Sequence, residues 1–139
     1  MTFMERPRPQ LDGLTGEFYA WCALRELRFQ RCAECQQWRH PPRVSCAACG
    51  SNDWSWEKSS GRGQIFTWTV VHQALHPAFA ELVPYAVVVV ETEEGVRIVT
   101  NIKDISSLRL GLSVTVDYET ESNSPGEPIL VLPIFKSLV

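Results

Sequence analysis

RCAECQQWRHPPRVSCAACG, residues 31–50, sets four cysteines (Cys32, Cys35, Cys46 and Cys49) in two CxxC pairs separated by ten residues. Two residues between cysteines let a tight knuckle turn both sulfurs toward one point. Two such knuckles facing each other make the tetrahedral sulfur cage that zinc prefers, with Zn–S near ~2.3 Å. Two disulfides or a redox-active CxxC are the competing readings. A redox pair has no reason to occur twice, and an intracellular protein rarely keeps disulfides. The stretch Met1–Gln10 is polar and proline-rich, without the apolar stretch of a secretory leader, so a cytoplasmic location is expected, and Arg6–Leu11 reads as an extended arm.

The spacing suits a small ribbon or rubredoxin-like hairpin. His40-Pro41-Pro42 makes a stiff turn inside it, and Gly50 follows the last cysteine where a positive φ is needed. Four cysteine ligands leave zinc no open position, so one structural Zn2+ and no catalytic metal is the expectation. His40 lies between the knuckles and could in principle replace one cysteine, but since four sulfurs already complete the site it is expected to be exposed or to lie behind the ligands. Cys22, among Phe18, Tyr19, Trp21 and Leu24, reads as a small buried hydrophobe.

A chain of 139 residues that is 45% hydrophobic can bury one ordinary core beside a metal-stapled module. No stretch of eighteen apolar residues marks a membrane span. The net charge of −3 argues against a nucleic-acid partner. Charge is uneven, with nine Lys/Arg against seven Asp/Glu in residues 1–62 and four against nine in residues 63–139. Arg25, Arg28, Arg31, Arg39 and Arg43 surround the cysteines, where a tetrathiolate zinc cage carries a charge of about −2.

The fold class expected is mainly β: an N-terminal helix, a small zinc ribbon, then a five-stranded OB-fold-like barrel. Residues 1–27 are assigned to an arm and helix, 28–57 to the ribbon and 58–139 to the barrel. The helix is expected from about Gly16 to Glu26, with Thr15 as N-cap. Beyond residue 60 the periodicity is two. In Gly63–His72, Ile65, Thr67, Thr69 and Val71 are expected on one face, and Phe66, Trp68, Val70 and His72 on the other. Tyr85–Glu91 and Val96–Ile102 flank Glu93-Glu94-Gly95 as a hairpin. Leu112–Thr120 places Val114, Val116 and Tyr118 inward, Ser122–Pro128 is a turn, and Ile129–Phe135 closes the set. Gly61 and Gly63 at the start of the longest strand permit the bend a small barrel needs. An OB-fold is favoured over an SH3-like barrel.

The aromatic helix, the CxxC-x10-CxxC with Pro-Pro inside, SGRGQIFTWTVVH, PYAVVVVE, EGVRIVTNI, LRLGLSVTVDYE and LPIFK follow one another in an order that resembles the domain of unknown function 35 family. That family joins a zinc ribbon to an OB-fold, and the resemblance covers about residues 15–137. It implies an accessory subunit of a thiolase-like acyl-CoA enzyme, either a condensing enzyme or a retro-aldolase such as the one of steroid side-chain degradation. Gln36 stands where a glycine commonly follows the first knuckle.

Catalytic groups are sparse. His40, His72 and His76 accompany no recognisable nucleophile, and Ser59-Ser60-Gly61 lacks the strand-to-helix setting of a nucleophile elbow. No catalytic residue is assigned. Gly61-Arg62-Gly63 reads as a bend or a phosphate cradle; Arg62, Arg39 and Arg43 are the candidate CoA contacts. The loop Gln73–Pro84 is unusually apolar for its length. Phe18, Trp21, Leu75, Phe79 and Leu82 are the candidate partner interface. The alternative is a free-standing OB-fold nucleic-acid binder with Phe66 and Trp68 as its stacking platform.

Overall fold

Aliphatic alternation from Arg62 onward becomes a five-stranded sheet that curls on itself. The computed structural model describes residues 6–121, 126 and 129–138, so most of the expected Ser122–Pro128 turn lies outside the described residues. Helix α1 (Gly13–Ala23) is followed by β1 (Arg28–Cys32), β2 (Trp38–Arg39) and β3 (Trp54–Lys58), a small antiparallel sheet of order β2-β1-β3. Then come β4 (Arg62–Val71), β5 (Tyr85–Thr92), β6 (Arg97–Thr100), β7 (Ser113–Thr120) and β8 (Val131–Ser137), in the order β6-β5-β4-β7-β8.

The sheet closes where Ile102 bridges Phe135 in parallel, with the Phe135 N–H donating to the Asn101 carbonyl at 3.0 Å. A long first strand shared by both halves and a parallel closure between the third and last strands match an OB-fold. Gly63 makes the close approach possible: a Cβ there would lie 2.4 Å from the Glu91 carbonyl oxygen. The hairpin across Glu93-Glu94-Gly95 and the inward Val114 of β7 form as expected.

Two local readings change. The helix begins and ends about three residues early. Gly16 lies inside it, and the Leu11 backbone folds so close there that a Cβ at Gly16 would meet the Leu11 oxygen at 2.6 Å. At the other end Arg25 adopts φ 61, a left-handed stop that no continuing helix tolerates. Asp12, and not Thr15, is the N-cap residue, and its side chain makes no capping bond.

In β4 the register shifts between Ile65 and Thr67, which leaves Phe66 as an extra residue. A bulge advances the side-chain phase by one. Ile65 and Trp68 therefore pair with the buried Val90 and Val88, while Phe66 is 45% exposed. The two aromatics that alternation puts on one face are thus on opposite faces.

A single apolar cluster joins Phe18, Cys22, Leu27 and Phe29 of the helix and ribbon to Ile65, Val88, Val90, Ile98, Val114 and Phe135 of the barrel. Each such large side chain contributes about 1.5–3 kcal/mol through burial. Helix and ribbon are therefore one plug seated on the barrel, and they do not hang from it as a separate lobe.

Candidate metal centre

Strand β1 delivers Cys32 to the first knuckle, where the Gln36 N–H donates to the Cys32 carbonyl at 3.0 Å. The second knuckle repeats the turn: the Gly50 N–H donates to the Cys46 carbonyl at 2.8 Å. The residue after each second cysteine is left-handed, Gln36 at φ 65 and Gly50 at φ 78. Gln36 keeps its side chain occupied there by donating from Nε2 to the Ala33 carbonyl at 3.0 Å.

The knuckles bring four sulfurs within 4.8 Å of one another. Sγ of Cys32 and Cys49, and Sγ of Cys35 and Cys46, are 3.6 Å apart. A tetrahedron with Zn–S near 2.3 Å has edges of about 3.8 Å, so the donor set fits a structural zinc. All five cysteines are free thiols, which removes the disulfide reading. The four thiols do not shift alike. Backbone N–H groups of Cys49 and Ala48 pull the Cys46 thiol down to about 6, and chiefly that of Cys35 lowers Cys32, whereas against the N–H groups of Gln37 and Ser51 burial and the neighbouring sulfurs raise Cys35 and Cys49.

Around the cage, Gln30 is a fully buried hub that the motif did not disclose. Its Oε1 accepts from the Arg43 N–H at 2.7 Å and Arg39 Nε at 3.1 Å, and its Nε2 donates to the Arg43 carbonyl at 2.8 Å. This network pins the Pro41-Pro42 turn that carries the chain from one knuckle to the other. A glutamine in an alternating strand gives no sign of such a role.

His40 is partly buried, not exposed. It packs on Phe18 and Phe29 with ring centroids at 4.8 and 5.3 Å, and burial holds its pKa down at about 4. Cys22 is fully buried, as expected, and burial raises its thiol to about 12. His72 is exposed, and His76 Nδ1 accepts from the Ala78 N–H at 3.0 Å.

The other singled-out residues separate. Arg39 is only 6% exposed and is held by Gln30 and by the Arg43 carbonyl, at 2.8 Å from its Nη2. Arg62 pairs with Glu93 at 3.0 Å. Arg43 makes no side-chain hydrogen bond or ion pair among the described residues, and it opens on a cleft of about 350 Å³ between the ribbon and the β5–β6 hairpin. Phe18, at 4% exposed, is core. Trp21 is half-buried under the Arg28 guanidinium, 4.4 Å from the ring centre. Phe79 packs against Tyr85, while Leu75 and Leu82 of the same loop stay exposed.

One clasp was also invisible in the sequence. Glu94, at the hairpin tip, accepts from Ser59 Oγ at 2.6 Å and from the Ser60 N–H at 3.0 Å, tying the ribbon-to-barrel link to the hairpin. Among the described residues no helix is long and apolar enough to cross a membrane.

Residues 22–55 match the family model described as "ChsH2, rubredoxin-like zinc ribbon domain", and residues 56–119 match "ChsH2, C-terminal OB-fold domain". The chain is 38% identical over 136 residues to a protein of Thermomonospora curvata named probable enoyl-CoA hydratase alpha subunit, covering 96% of this chain and 40% of that one. It is 33% identical over 113 residues to the 3-oxo-4,17-pregnadiene-20-carboxyl-CoA hydratase alpha subunit of Mycobacterium tuberculosis, covering 81% of this chain and 35% of the relative. The chain thus spans about two fifths of the length of these relatives. A solved chain described as "Ltp2-ChsH2(DUF35) aldolase" superposes with a TM-score of 0.80 at 36% identity, over 95% of this chain and all of that one. Cage, ribbon and barrel agree with these matches: the chain belongs to the ChsH2 family of DUF35 proteins, a rubredoxin-like zinc ribbon joined to an OB-fold.

Proposed function

We propose that this chain is a non-catalytic accessory unit that docks a thiolase-like acyl-CoA enzyme, a condensing enzyme or retro-aldolase, and helps form or stabilise its acyl-CoA site. The observation that carries this reading is the match, over 95% of this chain and all of the other, to a DUF35 chain named as part of an aldolase. The relatives named as CoA-ester hydratase alpha subunits point to the same substrate class, with steroid side-chain degradation as its setting. One structural zinc ion fits this role, because four sulfurs leave no position at which the metal could activate water or substrate. Its task is to hold the ribbon on the barrel.

Of the three arginines considered for CoA, Arg43 is the one with an open guanidinium. Arg39 serves the ribbon and Arg62 would first have to leave Glu93. The nucleic-acid alternative loses its platform, since the β4 bulge turns Trp68 into the barrel and leaves Phe66 outside. The test is co-expression with a thiolase-like aldolase from the same source, followed by gel filtration with light scattering and an acyl-CoA cleavage assay. A stable complex whose turnover exceeds that of either component alone is the expected result. Separate elution with no effect on turnover would overturn the proposal.

A further inference from the structure

Arg39 is a buried cation whose guanidinium meets only neutral oxygens: Gln30 Oε1 at 3.1 Å, the Arg43 carbonyl at 2.8 Å and the Val44 carbonyl at 3.5 Å. Among the described residues no carboxylate pairs with it, and its Nη1 is buried without a hydrogen-bond partner. A charged side chain this buried is ordinarily matched by an opposite charge. Glu91, which lines the same cleft, is taken by Arg97 at 3.1 Å. Glu34 and Asp53, the acidic residues nearest the cysteines in the chain, are exposed to water. Strand register shows where the charge is held. Arg39 of β2 stands directly opposite Gln30 of β1, and Trp54 of β3 directly opposite Cys32. Opposed residues share a face, as do residues two apart on one strand, so Arg39, Gln30, Cys32 and Trp54 belong to one face of the ribbon. The Arg39 guanidinium crosses that face to the Trp54 ring, 5.9 Å from its centre. It also lines a cleft together with Cys46 of the second knuckle.

We infer that Arg39 is the counter-charge of the metal centre: its buried guanidinium answers the negative charge of the four thiolates when zinc is bound, and so sets how tightly the cage holds the ion. A tetrathiolate zinc cage carries a charge of about −2 and needs cations near it. Arg31 and Arg43 also flank the cysteines, but they act from the surface. Arg31 lies on the Trp38 ring with its Nε bonded to the Gln36 carbonyl, and Arg43 is exposed, so water and salt weaken both. Arg39 acts from a low-dielectric position, where the same charge interacts more strongly. Without metal the sulfurs take up protons and become neutral, and the buried cation then faces no anion. Loss of zinc therefore costs the ribbon a matched charge in addition to its metal bonds. Gln30, fully buried, is the positioning residue that holds the guanidinium in place. Arg39 thus has a task inside the chain that is independent of docking, and it is not available to a CoA phosphate.

The experiment measures the zinc affinity of the full chain by competition with a chromogenic chelator, for the wild type, Arg39→Met and Arg39→Lys. Methionine keeps the length of the side chain without its charge, and lysine keeps the charge without the fork to Gln30 and Arg43. Groups behind the ligands tune metal affinity by about 10–100-fold, so Arg39→Met should bind zinc at least about tenfold more weakly while Arg39→Lys stays within about threefold of the wild type. Cobalt(II) at saturation reports the geometry separately: its tetrahedral thiolate absorption should be the same in all three chains, which a misfolded ribbon would not give. Wild-type zinc affinity in Arg39→Met would overturn the assignment. So would an equal loss in Arg39→Lys, which would reduce Arg39 to a link in the hydrogen-bond network around Gln30. If Arg39→Met binds no cobalt at saturation, the lysine variant decides: wild-type affinity there upholds the counter-charge, and a loss overturns it.

Discussion

The ribbon and the barrel are stabilised by different physics although they share one core. In the ribbon the determinants are polar: four sulfurs, a buried glutamine and carbonyl-bound guanidinium groups, with Phe29 its main apolar contribution. In the barrel they are aliphatic rows, Val88, Val90 and Val114, with no exposure at all. A module of some thirty residues is too small to bury enough apolar area by itself, so metal binding supplies the missing folding free energy. The barrel is long enough to do without it. What this teaches is that the ribbon's order is conditional on a ligand, whereas the barrel's is conditional on packing.

The sharpest way to break that contrast is Cys46→Ser, or zinc removal by a chelator. Structural zinc is worth roughly 10–16 kcal/mol of apparent binding energy in small finger peptides, so the ribbon should lose its fold. NMR should show the Trp38, Trp54 and Trp56 indole signals collapsing while the β5 and β7 amides remain dispersed, together with loss of bound zinc on metal analysis. Collapse of all amides together would show that the modules fold as one.

The converse experiment is Phe135→Ala, at the closing bridge and 1% exposed. Denaturant titration should show about 3–5 kcal/mol of destabilisation, with the cage still holding zinc below the transition.

His40 sits between the regions and tests their joint. Its folded pKa, about 4, is below the ordinary 6.5, so protons bind the unfolded chain more tightly. The stabilisation is complete above pH 6.5 and is lost as pH falls from 6.5 toward 4, amounting to about 3 kcal/mol. Stability measured against pH should therefore fall less steeply across this window in His40→Phe than in the wild type. Parallel curves would place His40 in water.

The smallest effect expected is a gain. Gln36→Gly relieves the left-handed φ of 65 by about 1 kcal/mol, raising the ribbon's melting temperature without altering its zinc content. No rise would mean that the Nε2 bond to Ala33 already offsets the strain.

Most of the architecture was legible because its signals are local. The CxxC spacing dictates a knuckle whatever surrounds it, and Glu93-Glu94-Gly95 turns a hairpin by its own φ preferences, with Gly95 at φ 86. The alternation of β7 reads directly as inside and outside. Other assignments failed where a distant partner decides. Phe66 and Trp68 alternate like any strand pair, and nothing in their neighbourhood announces the bulge imposed by pairing with β5. Phe18 and Trp21 are equally aromatic on one helix, yet the barrel buries the first and leaves the second at the surface beside Arg28. His40 had four cysteines around it in the chain but two phenylalanines around it in space.

By itself, then, the sequence determined the four-sulfur cage, the strand set and the helix that precedes them, because each follows from spacing or periodicity over fewer than twenty residues. Tertiary structure alone decided which aromatic is core, which guanidinium is free and which is buried. Those outcomes depend on what the closing barrel brings opposite each side chain, and contacts between residues such as Ile102 and Phe135, or Ser59 and Glu94, have no local signature.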